Sequence, residues 1–203
     1  MKAINIYKFH ELTDAAQYNV YSNSNADFSD CYADEYRETL KAFEKTFDIR
    51  ILDYSVDGYS NSFRYEMIND APDVEGVRLA KYVWNNYARY ITKGKYYSTP
   101  GKMVNGRYTY KHRHSKIILE MENCPLTGVC YDCVILQPVI DCLHYKKSFS
   151  SYDELIEECL SAFFDAWEEE VSFNNSFDYF KEWAADNDES WYTENGEPVK
   201  IAA

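Results

Sequence analysis

Glycine and proline are scarce in this chain, with 7 and 5 among 203 residues. That scarcity excludes low-complexity disorder of the Gly/Pro-rich kind. No run of about 18 apolar residues occurs, so no membrane-crossing helix is expected. Also missing are a phosphate-cradling glycine loop, a nucleophile elbow and an H-E-x-x-H zinc motif. With none of these, no enzyme is expected. The opening residues, Met1 to Phe9, alternate polar and apolar side chains and lack the apolar centre of a signal peptide. The six cysteines are unevenly spaced, in a chain too long to depend on disulfides. A reducing cytoplasm is the expected compartment.

One further absence organises the sequence. Residues 78–116 contain no acid at all, against 10 Lys/Arg. Residues 1–77 carry a net −8, residues 117–150 a net −2, and residues 151–203 hold 15 acids and 2 lysines, net −13. The last segment alone therefore equals the formal net charge of the whole chain, −13. Charge is segregated, and the weight of that segregation depends on whether basic and acidic segments neutralise each other in the fold.

What is abundant is aromatic: 20 tyrosines and 11 phenylalanines. They supply buried area for a core and leave many tyrosines for the surface. A strand is expected over 3–9, then a helix capped by Thr13 and running to about 22. The spacing of Tyr36, Leu40, Phe43 and Phe47 predicts an amphipathic helix over 29–47. Ile49 to Val56 and the alternating Phe63, Tyr65 and Met67 predict a hairpin around Gly58. Val77, Ala80, Val83, Trp84, Tyr87 and Ile91 predict a helix over 75–92, with Gly94 as its stop. Asn105-Gly106 signals a second hairpin, 102–104 against 107–109, and Ile117-Ile118-Leu119 a buried strand. Residues 132–144 are expected to be helical around Pro138. Ser151 and Glu154 form a capping box that opens a helix to about 171. A short helix, 176–186, and a small hairpin at Asn195-Gly196 should close the chain. The fold class is α+β: a short antiparallel sheet packed by several amphipathic helices, with an acidic helical C-terminal part. The expected organisation is a mixed core over 1–150, including the basic Tyr-rich segment 78–116, with an acidic helical segment over 151–203 packed on it as one domain.

Three constellations carry candidate chemistry. Glu154, Glu157, Glu158, Asp165, Glu168, Glu169 and Glu170 share one predicted helix. They place carboxylates along about 24 Å, roughly one per 3.4 Å, close to the phosphate spacing of one DNA strand. Such an array suits a basic nucleic-acid groove; its plainer use is a solvated face that keeps the protein soluble. Arg89, Lys93, Lys95, Arg107, Lys111 and Arg113 are interleaved with tyrosines, as in single-strand binders. A net charge of −13 opposes direct nucleic-acid binding, and internal neutralisation is the plainer use. Cys124, Cys130, Cys133 and Cys142 offer thiolates for zinc. Buried reduced thiols are the commoner use of such residues, and no cofactor other than zinc suggests itself.

Several stretches resemble an uncharacterised protein family of bacteriophages, prophages and other mobile elements of gut bacteria. They are Ile6 to Ala16, with Tyr7, Phe9, Glu11, Leu12 and Ala16; Cys124-Pro125-Leu126-Thr127-Gly128-Val129-Cys130; Tyr152 to Leu155 through Trp167 to Glu170; and Thr193 to Glu197. Gln17 to Tyr21 depart from the family's usual charged continuation. The resemblance implies a mobile-element protein in a bacterial host cytoplasm, with no known reaction. By class it implies an inhibitor of host defence, anti-CRISPR or anti-restriction, whose partner is a nucleic-acid-binding nuclease such as a CRISPR effector.

Overall fold

The structure is a computed structural model. It describes residues 5–91, 125–128, 131–187 and 189–199, together with the backbone of four short strands between 97 and 114. The chain is α+β. Its elements are a 3-10 turn at Phe9–Glu11, α1 (Asp14–Asn23), α2 (Ala33–Phe47), β1 (Ile49–Val56), β2 (Asn61–Met67) and α3 (Gly76–Ile91). Then follow β3 (Tyr97–Ser98), β4 (Lys102–Val104), β5 (Arg107–Thr109), β6 (Arg113–His114), α4 (Tyr131–Leu143), α5 (Tyr152–Asn174) and α6 (Phe177–Asn187). Strands β1 and β2 pair as a hairpin, and β3 pairs with β6. β4 pairs with β5 in the register Val104↔Arg107 that Asn105-Gly106 predicts.

Contacts divide the chain into two compact units. A terminal unit takes in Met1–Cys31, Val56–Ser60 and Glu168–Ala203, and a central unit takes in Tyr32–Ser55 and Asn61–Trp167. Residues 151–167 therefore group with the central unit and 168–203 with the N-terminal stretch, and no boundary falls at residue 150.

In the terminal unit, Phe9, Leu12, Ala16 and Val20 bury against Phe180, Ala184 and Tyr192. Thr13 caps α1 through its hydroxyl, which accepts from the Ala16 N–H at 3.3 Å. The strand expected over 3–9 is replaced by one bridge, Tyr7 to Tyr192. The Glu11 carboxylate accepts the Lys8 N–H at 2.7 Å and turns the chain away from extension. Beyond α6, Tyr192 and Pro198 bridge across the turn at Gly196. That glycine has φ +85°, and a Cβ there would lie 2.4 Å from the Ala16 carbonyl oxygen. Only glycine lets this hairpin lie so close to α1.

In the central unit, α2 presents the expected stripe, with Tyr36, Leu40, Phe43 and Phe47 all buried. The helix begins four residues later than its pattern predicts, because Tyr32 adopts a left-handed backbone, φ 60°. On α3, Leu79 rather than Val77 enters the core. Tyr36 stacks between Tyr131, at 3.8 Å, and Trp167, at 4.7 Å. Tyr152 donates its hydroxyl to Tyr87 at 2.9 Å. Burial drives both of these phenols well above the ordinary tyrosine range. Gly94 and Ile117 to Leu119 lie outside the described residues.

Candidate functional site

Helix α5 forms because its first turn is capped and one broad face is apolar. The Ser151 hydroxyl accepts the Glu154 N–H at 3.0 Å. The Glu154 carboxylate accepts both the N–H and the hydroxyl of Ser150, a box displaced by one residue from the expected pairing. Leu155, Ile156, Cys159, Leu160, Phe163, Phe164 and Trp167 are all buried. The helix continues to Asn174, three residues past its expected end.

Four of the candidate acids stand in the central unit. At 100° per residue, Glu154, Glu157, Glu158 and Asp165 fall within an arc of about 100° on the solvent side. Three of them are locally engaged. Glu154 completes the cap, and its hydrogen bonds from Ser150 hold its carboxyl below the ordinary value of 4.5. Glu158 pairs with Lys147. Asp165 accepts from the Asn61 amide at 3.0 Å. Glu157 is exposed and has no ion pair of its own among the described residues. Seven residues separate Glu158 from Asp165, a rise of about 10 Å without an acid, so the charges form clusters rather than an even ladder.

The other three, Glu168, Glu169 and Glu170, belong to the terminal unit. There the charge balance is lopsided. Its residue ranges hold 15 acids and 4 Lys/Arg, net −11, against 19 and 17, net −2, for the central unit. Of its lysines, Lys181 pairs with Asp14 at 3.1 Å. Lys8 donates to the Glu189 carbonyl at 2.6 Å and lies over the Trp191 ring. Asp178, Glu182 and Asp186 are exposed on α6 at intervals of four residues. They form a stripe about 12 Å long, opposite the buried Phe180 and Ala184.

The basic segment belongs to the central unit. Arg89 is exposed on α3, with its guanidinium over the Tyr90 ring. Arg107 and Arg113 are placed by backbone on β5 and β6, and Lys93, Lys95 and Lys111 lie outside the described residues. Of the cysteines, Cys124 and Cys130 lie outside the described residues, whereas Cys133 and Cys142 stand on α4. Nine residues separate these two, about 13 Å of helix, whereas Zn–S bonds are about 2.3 Å. One ion therefore cannot hold both, and the expected four-cysteine set is corrected on that ground. Cys142 is buried, and desolvation pushes its thiol up.

Sequence reasoning passed over Asp132. This carboxylate is fully buried. It accepts from the N–H groups of Leu126 at 2.8 Å, Thr127 at 2.7 Å and Gly128 at 3.2 Å, and from the hydroxyls of Thr127 and Thr39. A loop is thereby tied to the start of α4 and to α2. The available signal was an acid opening an otherwise apolar helix just after Leu-Thr-Gly. Asn175 has the same role in the terminal unit. Its amide accepts from Phe28 N–H and donates to Ser29, and its carbonyl accepts from Tyr21.

Two open clefts lie in the central unit. One, of about 360 Å³, runs between α2 and β1, and its Arg37, Lys41, Glu44 and Asp53 balance in charge. The second, of about 270 Å³, lies between α3 and the end of α4. Among the described residues, no helix is long and apolar enough to cross a membrane. Comparison of the chain with protein-family models, with curated proteins and with solved structures found no match.

Proposed function

We propose that this protein is a non-enzymatic inhibitor encoded by a bacteriophage or related mobile element, acting in the host cytoplasm. Its acidic terminal unit occupies the basic nucleic-acid groove of a host defence nuclease, with a CRISPR effector the first choice. The observation that carries the reading is the net −11 concentrated in one compact unit that holds only four Lys/Arg. The surface centres on the exposed Glu169, Asp178, Glu182 and Asp186, with the half-buried Glu168 and Glu170 beside Glu169 in sequence. Glu154, Glu158 and Asp165 belong to the central unit, where a cap, a lysine and an amide engage them, and are not part of this surface. Charge complementarity of this kind steers association and weakens as salt rises.

The test is a cleavage assay with an RNA-loaded CRISPR effector and its target DNA, run at increasing salt. Inhibition should be competitive with DNA and fall steeply with ionic strength. Inhibition that is independent of salt, or that persists once DNA is already bound, overturns the proposal.

A further inference from the structure

The cleft between α3 and the end of α4 is lined by Ala80, Lys81, Trp84, Asn85, Leu143 and Tyr145. Its chemistry is distinct from the acidic unit. Ala80 is buried and Trp84 is half-buried, whereas Tyr145 is 64% exposed. Two aromatic side chains therefore border a space of about 270 Å³. That volume lies just under the roughly 300–1,000 Å³ of drug-sized sites, so it admits one planar ring system.

Tyr145 stands where the backbone asks for glycine. Its φ is +57°. The N–H of Tyr145 bonds the Cys142 carbonyl, and the N–H of Lys146 bonds the Asp141 carbonyl. These two bonds form a Schellman ending, and Tyr145 holds the left-handed position that glycine normally takes. An L side chain there is strained, and a mostly exposed ring recovers little of the cost by burial. Tyr32 holds the same conformation with a similarly exposed ring, so what sets Tyr145 apart is its place beside Trp84 at the rim of a cleft.

Lys81 selects the charge of the ligand. It is exposed and has no ion pair among the described residues. The positions three and four away on its helix hold Val77, Arg78, Trp84 and Asn85, none of them an acid. A cationic guest is repelled there, and an anionic one is attracted. Asn85 adds an amide that can read the edge of a ring.

The geometry points to a nucleotide site: a nucleobase packs against Trp84 and Tyr145, and its phosphate lies toward Lys81. The ligand is either a free mononucleotide or a nucleotide within a single strand. This inference rests on neither the acidic unit nor the inhibitor reading.

Calorimetric titration of the full chain with AMP, adenosine and an oligo(dA) strand tests it. AMP should bind more tightly than adenosine, and binding of the oligonucleotide as well would identify single strands as the source. Tyr145→Gly should weaken AMP about tenfold, the worth of one stacked base, while the thermal midpoint holds or rises. Lys81→Met should weaken AMP about tenfold and leave adenosine unchanged. Absence of binding by both AMP and the oligonucleotide overturns the proposal, as does full AMP affinity in Tyr145→Gly. A fall of several degrees in that variant's midpoint also overturns it, because the ring would then be structural.

Discussion

Asp132 ties three backbone N–H groups and two hydroxyls to one buried carboxylate. Asp132→Ala leaves those donors without a partner inside the protein. A loss of about 3 kcal/mol or more is expected in urea unfolding, with an unchanged slope. The cysteines give a chemical test. Cys142 and Cys159 are buried with thiols pushed above their ordinary range, whereas Cys31 is half-exposed. Labelling with iodoacetamide followed by mass spectrometry should modify Cys31 in the folded protein and Cys142 and Cys159 only after unfolding. Glu154 sets an acid limit. Its folded carboxyl lies below the ordinary 4.5 because of the Ser150 hydrogen bonds. Its contribution to stability is therefore present above about pH 4.5 and is lost as pH falls through the lower folded value. Glu154→Gln should flatten the acid side of a plot of thermal midpoint against pH. Glu154 is legible in the sequence as half of a capping box, whereas the depth of Asp132 and of the buried thiols is defined by the partners that the fold brings to them.

Elements were legible where a local rule decides them. Thr13 as a cap, the α2 stripe from Tyr36 to Phe47, the register set by Asn105-Gly106 and the apolar α4 around Pro138 all follow from short-range patterns. The opening was not legible, because Glu11 turns the chain through a side-chain bond to Lys8 that alternation does not reveal. The start of α2 departs from its pattern for a related reason, since Tyr32 holds a left-handed position. At the terminal hairpin, Gly196 packs its Cα against the Ala16 backbone with φ +85°. Gly196→Ala combines backbone strain with a clash against a carbonyl that cannot swing aside. It should cost about 2 kcal/mol or more, read as a lowered thermal midpoint.

Across the whole molecule, the sequence already displayed a basic middle and an acidic end, but their division between units was not readable from it. Residues 151–167 and the basic segment share the central unit, whose net charge is −2, whereas residues from Glu168 onward share the terminal unit, whose net charge is −11. The long acidic run thus separates into a part whose unit also carries the bases and a part whose unit nearly lacks them. Charge reversal in each unit tests this most directly, with inhibition of an RNA-loaded CRISPR effector as the readout. Asp178, Glu182 and Asp186 to Lys in the terminal unit should abolish inhibition while the thermal midpoint stays within a few degrees of the parent. Glu154, Glu158 and Asp165 to Lys in the central unit should leave most of it. Full inhibition by the terminal-unit variant would contradict the account.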